Sequence, residues 1–102
     1  MRKKSKLSRI DIVGELSIFT AAVIRTQLLE ALATAPELEV DLSKVSEIDS
    51  AGIQVMVAAK REAAAQNKAL RFLGHSAAVV DILDLTDLAA HFGDPLLIHS
   101  QA

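Results

Sequence analysis

Asp49 and Ser50 stand side by side near the middle of the chain, followed at once by Ala51-Gly52-Ile53. A carboxylate beside a hydroxyl suits acid–base or nucleophilic catalysis, anion binding at a helix start, or phosphorylation. Which of these applies depends on the elements that position the pair. Leu38, Val40 and Leu42 alternate with Glu39 and Asp41, the period of a strand. From Ile53 the apolar residues recur as Ile53, Met56 and Val57, which is helical spacing. The pair therefore belongs to a strand–loop–helix junction, with Ser43–Ser50 as the loop leaving the strand's carboxyl end. Functional loops of layered α/β proteins gather at such ends.

At a helix start, either Asp49 or Ser50 can accept a hydrogen bond from the unpaired amides of the first turn. A serine there is most often only a cap. The same terminus carries the positive end of the helix dipole and tolerates an added anion. A phosphate on Ser50 would bring roughly −1.5 to −2 charges and three acceptor oxygens. Ser46 and Ser76 are further hydroxyls at loop positions, but neither has an Asp before it and a Gly shortly after. Gly52 either permits close approach of a partner's backbone or relieves crowding against a neighbouring strand.

The rest of the chain alternates strands with helices. Leu7 to Leu16 reads as strand, in two segments or a bent hairpin, with Gly14 marking the bend or bulge. Thr20 is placed to cap a helix over 21–34 with Ile24, Leu28, Ala31 and Leu32 inward, and Pro36 closes it. The second helix spans about 51–67, burying Ile53, Met56, Val57, Ala63 and Ala64, and Asn67 stops it. Residues 69–73 form the next strand, Gly74 turns, and Ser76 caps a third helix to about Leu85. Leu88–Phe92 reads as a helical turn or short strand, and Leu96–Ile98 as extended. This order predicts helices packed on a mixed sheet of four to five strands.

With 102 residues, the chain is expected to form one domain. The absence of Cys excludes a disulfide framework and thiolate metal sites, and agrees with a cytoplasmic location. No apolar run approaches the ~18 residues of a membrane span, and no signal-peptide core follows the basic start. Five of the eleven basic residues (Arg2, Lys3, Lys4, Lys6 and Arg9) crowd the N-terminus. Residues 1–6 read as a flexible arm. The remainder sets six basic against thirteen acidic residues, a formal −7. Such a body repels nucleic acid, and three Phe with neither Tyr nor Trp offer few stacking platforms. His75, His91 and His99 are spaced unsuitably for a shared metal, and neither a metal nor a cofactor is expected. His75 reads as a solvated or core-edge histidine.

Asp41-Leu42-Ser43, then Ile48-Asp49-Ser50-Ala51-Gly52-Ile53, resembles the signature of STAS domains, the fold of bacterial anti-sigma factor antagonists. Gly14-Glu15-Leu16 with Thr20-Ala21 matches a second recurring segment, and Ser76–Leu83 resembles the helix that closes the domain. The resemblance runs through nearly the whole chain in order. It implies a non-enzymatic regulatory module, with Ser50 as the residue that a cognate kinase phosphorylates. Asp49, Ser50, Ala51, Gly52 and Gln54, with Ser46, would then meet a protein partner. That partner would be a GHKL-type serine kinase, an anti-sigma factor or a sensory histidine-kinase system. The alternative is a constitutive STAS subunit of a transporter or other larger complex, in which Ser50 merely caps. Nucleotide binding at the helix start lacks a glycine-rich phosphate loop.

Three departures from the family pattern are visible. Ser17 stands where Asp is frequent, Ala51 replaces a second hydroxyl, and the C-terminal helix common in relatives reads as shortened or absent. The family pattern also assigns Asp41 a structural role near Ser50. Catalysis fits poorly. Asp49-Ser50-Ala51-Gly52 is similar to the Asp-Ser/Thr-Gly of aspartic proteases, but Ala51 breaks that motif and a helix follows it. A nucleophile elbow would need glycine two residues before Ser50, where Ile48 stands. No companion acid or electrophile is evident.

Overall fold

Both connections between strands are helices, and that decides the direction of the sheet. The structure, a computed structural model, describes residues 7–86. In chain order it contains β1 (Leu7–Leu16), α1 (Ala21–Thr34), β2 (Glu37–Ile48), α2 (Ser50–Ala65), β3 (Ala69–Leu73) and α3 (Ala77–Thr86). A helical crossover returns the chain to the same end of the sheet, so successive strands run parallel. The described strands lie in the order β1-β2-β3, each parallel to its neighbour. Right-handed crossovers that advance in one direction put α1 and α2 on one face. The two helices pack against each other there, while α3 packs on β2.

The expected α/β layering is present, and the described sheet has three parallel strands where four to five mixed ones were expected. The difference begins at Gly14. Its φ of +92° is taken up within one continuous β1, not in a hairpin bend. The β1–β2 register slips there and again between Asp11 and Val13. A second difference follows from the first. Because Val13–Leu16 of β1 continue the ladder, β2 runs on to Ile48, with Val13 opposite Lys44 and Leu16 opposite Ile48. The segment expected as a Ser43–Ser50 loop is therefore mostly strand.

Alternation then sorts the side chains. Ile12, Leu16, Leu38, Val40, Leu42, Leu70 and Phe72 face the helices and are buried. They meet Ile24, Leu28 and Leu32 of α1, Ile53, Met56, Ala59 and Ala63 of α2, and Val79 and Leu83 of α3 in one cluster. The stripe of α2 is rotated from expectation: Gly52, Val55 and Ala59 are buried, Val57 is half-buried and Ala64 is exposed. Asn67 ends this region with φ +58°, the left-handed conformation that asparagine tolerates after a helix. Lys68 Nζ donates to the Leu32 carbonyl, occupying an open acceptor of α1's last turn. The opposite face of the sheet carries charge. Arg9, Glu39 and Arg71 share one row across the three strands, and Asp11 pairs with Asp41 in the next. The expectations for the basic arm 1–6 and the tail beyond Thr86 fall outside the described residues.

Candidate functional site at the start of the second helix

Of the two candidate caps at the junction, Asp49 is the one used. Its backbone is extended, and its Oδ1 accepts the Gly52 N–H at 3.0 Å, so Ser50 becomes the first residue inside α2. The other oxygen reaches out of the element. Oδ2 accepts the Ile18 N–H at 3.0 Å, across to the loop between β1 and α1. The Asp49 N–H in turn donates to the Leu16 carbonyl at 3.4 Å. The Ile18 amide first, and the Gly52 amide after it, hold the Asp49 carboxyl below the usual carboxylate range, because each bond favours the ionised form. Asp49 thus fastens two elements that are far apart in sequence.

The loop it fastens is bonded at every amide. Ser17 N–H donates to Thr20 Oγ1 at 3.0 Å, and Thr20 Oγ1 donates to the Glu15 carbonyl at 2.9 Å. Ser17 Oγ donates to Glu15 Oε1 at 2.8 Å and accepts the Phe19 N–H at 3.2 Å. Thr20 N–H donates to the Ser17 carbonyl at 3.0 Å. Thr20 does precede α1 as expected, but its side chain serves the loop and makes no cap bond to the helix. Ser17, buried, is the hub of this small network.

Two large apolar side chains project from that rigid loop. Ile18 is 70% exposed and Phe19 87%, and Val23 in the first turn of α1 is 62% exposed. A groove of about 560 Å³ runs between α1 and α2, its lining starting at Ala21, two residues after Phe19. Its walls are mostly small: Ala21, Ala22 and Thr26 from α1, and Ala51, Val55 and Ala58 from α2, with Gln54 and Arg25. Arg25 is its one charged lining residue.

The residues singled out in the sequence are only partly brought together. Asp49, Ser50 and Ala51 form the first turn of α2, Ser50 is exposed, and Gln54 follows one turn on as part of the groove. Ser46 is exposed on β2, within the strand and not in a loop. Gly52 is buried, which corrects its place among the partner-facing residues. A Cβ there would stand 2.2 Å from the Leu16 carbonyl oxygen and 2.9 Å from Ile48 Cγ1. Of its two readings, relief of crowding against a strand is the one observed.

Asp41 belongs to the other face. Its Oδ1 accepts the Ser43 N–H at 2.7 Å and its Oδ2 pairs with Arg9 at 3.2 Å. The Ser43 bonds, then Arg9, keep its carboxyl below the ordinary range. Its structural role is therefore in holding β2 and β1, away from the Ser50 junction. His75 is buried, deeper than a core-edge position. Ile18 and Phe19 were not picked out from the sequence. The signal was there in the form of two consecutive large apolar residues between Ser17 and Thr20, in a segment too short to bury them.

A small α/β domain with an Asp-capped helix following its central strand, and no described helix long and apolar enough to cross a membrane, is the class these features define. Comparison with known proteins narrows it. The family model described as "Mlab, STAS domain" matches residues 1–98, and the chain belongs to the STAS domain family. It is 28% identical over 80 residues to the anti-sigma-B factor antagonist of Bacillus subtilis (strain 168), covering 78% of this chain and 73% of that protein. Its fold is that of the anti-sigma factor antagonist SpoIIAA in its unphosphorylated form. The TM-score is 0.68 at 21% identity, over 82% of this chain and 75% of the other.

Proposed function

We propose that this chain is a non-enzymatic, antagonist-like binding module of the bacterial cytoplasm, controlled by phosphorylation of Ser50. One observation carries the reading. The capping role that would otherwise explain a serine at this junction is filled by Asp49, and Ser50 is left exposed on the first turn. A hydroxyl released from capping is accessible to a kinase. Unphosphorylated, the module docks on a protein partner, a GHKL-type serine kinase, an anti-sigma factor or a sensory histidine-kinase system, through Ser50, Ala51, Gln54 and their surroundings. The phosphate sits at the helix N-terminus, where the dipole tolerates it, but places a dianion in the contact beside the ionised Asp49. An apolar or acidic partner surface would then be released by desolvation and repulsion. Both Asp49 oxygens are bonded to backbone amides, which argues for a fastening role over that of a general base.

A second reading, a constitutive subunit of a transporter or other larger complex, draws support from the apolar groove beside Ser50, which suits a standing contact. Phosphopeptide mapping of the protein from its native cell separates the two. Phosphate on Ser50, together with a partner affinity that Ser50→Asp weakens and Ser50→Ala preserves, is the expected result. Equal affinities for the two variants would sink the switch, and a Ser50 that stays unmodified across growth conditions would favour the subunit.

A further inference from the structure

The surface beside Ser50 has a shape and a charge that restrict what can cover it. Phe19 and Ile18 are held out from a loop whose four amides, Ser17 to Thr20, are all bonded. Large apolar side chains so exposed are disfavoured in water, and a rigid loop gives them no route to fold inward. The adjoining groove is walled by alanines on both helices, so an incoming backbone can approach closely. Its single charged lining residue is Arg25, with no acidic residue in the lining to neutralise it.

We infer that Phe19 and the α1–α2 groove together receive one amphipathic helix of a partner protein, whose apolar face lies on the alanines and whose carboxylate pairs with Arg25. This rests on the reading of the Ser50 surface as a docking site, and adds the chemistry of what docks. The choice of occupant follows from charge complementarity. A mainly apolar groove, with Thr26 and Gln54 as neutral polar groups and Arg25 as its one charge, favours an acidic amphipathic segment over a basic one, and two parallel helical walls suit a third helix. Phe19 is the anchor: it is large, aromatic, set on a bonded loop and more exposed than any other large apolar residue described.

The test uses the full chain in its native cell, with a benzoylphenylalanine photocrosslinker at Phe19 and, as control, at Arg71 on the open sheet face. The expected result is one adduct from position 19, mapped by mass spectrometry to a segment of another protein with apolar residues at helical spacing and at least one Asp or Glu. A synthetic peptide of that segment should then bind the purified chain. Phe19→Ser and Arg25→Glu should each weaken it on the order of tenfold, and a Lys in place of the peptide's carboxylate should recover binding to Arg25→Glu. Both substituted side chains are exposed, so unchanged melting temperatures would confirm that the variants are folded. Five outcomes would overturn the inference: no adduct from position 19, equal yield from Arg71, an adduct to a second copy of this chain, one to lipid, or one to a basic segment. The two readings fail separately. An adduct indifferent to Ser50→Asp leaves the groove standing and removes the switch. A partner that responds to Ser50→Asp but binds Phe19→Ser within about twofold removes the anchor and keeps the switch.

Discussion

The α2 start with its neighbouring loop and the open face of the sheet are both exposed, yet they are built in opposite ways. On the sheet face charged side chains point to water and neutralise one another across strands: Arg71 meets Glu39 at 2.8 Å, and Arg9 meets Asp41 at 3.2 Å. Val13 and Leu7 of β1 are the exposed apolar side chains beside these charged rows. At the α2 start the polar groups turn inward on the backbone, with Asp49, Ser17 and Thr20 consumed by amides, while apolar Ile18, Phe19 and Val23 face out. Polar atoms hold the scaffold and apolar atoms make the surface, the reverse of an ordinary solvated loop. The sheet face is dominated by paired charges, and the other region by exposed apolar side chains on a bonded backbone.

The largest effect that this contrast predicts is at Asp49. Asp49→Ala removes the N-cap bond to Gly52 and the bond to Ile18 together, leaving two amides without their acceptor. The largest stability loss of the variants considered is expected in urea unfolding, and the Ile18 amide should lose its protection from hydrogen exchange. Acid should reproduce the loss in the wild type. The Asp49 carboxyl is depressed in the folded state by the Ile18 and Gly52 amides. Its contribution is therefore present above the unfolded value, near ~3.9, and disappears as pH falls through the lower folded value. The Ile18 and Gly52 amide resonances should shift together below that point. If they titrate near neutrality, Asp49 is not the acceptor.

The open face should respond weakly to the same treatment. Arg71→Ala breaks an exposed ion pair in which Arg71 keeps 44% of its side-chain surface in water and Glu39 17%. A change of about 0.2–1 kcal/mol is expected, shrinking further as salt is raised. A loss in Arg71→Ala as large as that in Asp49→Ala would mean that the charged rows, and not the bonded loop, are the structural half of the comparison.

The sequence displayed these two regions unequally. Alternation in Leu38–Leu42 and the helical spacing after Ile53 were enough for the layers and for the Asp49–Ser50 junction, because period and capping are local properties. The extension of β2 to Ile48 was not visible. Ser43, Lys44, Ser46 and Glu47 read as a polar loop, and only the ladder to Val13–Leu16 makes them strand. The same limit hid the use of Asp49. Its bond to Gly52 is three residues long and could be anticipated, while its bond to Ile18 spans 31 residues and exists only after the sheet has formed. Gly52 presented two readings for the same reason, since the Leu16 carbonyl that crowds it arrives from β1.

The smallest predicted effect is the one that isolates the surface from the scaffold. Ser50→Asp places a second carboxylate at the first turn of α2, where the helix dipole favours it by about 0.3–1 kcal/mol. Asp49, ionised one residue before it, opposes the gain through like-charge repulsion. The hydroxyl that is lost does not provide the cap bond to Gly52, since that bond belongs to Asp49. The two terms oppose each other, and a change within about 0.5 kcal/mol is expected in denaturant unfolding. A destabilisation well beyond that would mean that Ser50 supports the fold, and any weakening of partner binding by Ser50→Asp would then report damage to the helix start. With stability unchanged, the same weakening can be assigned to charge placed at the contact.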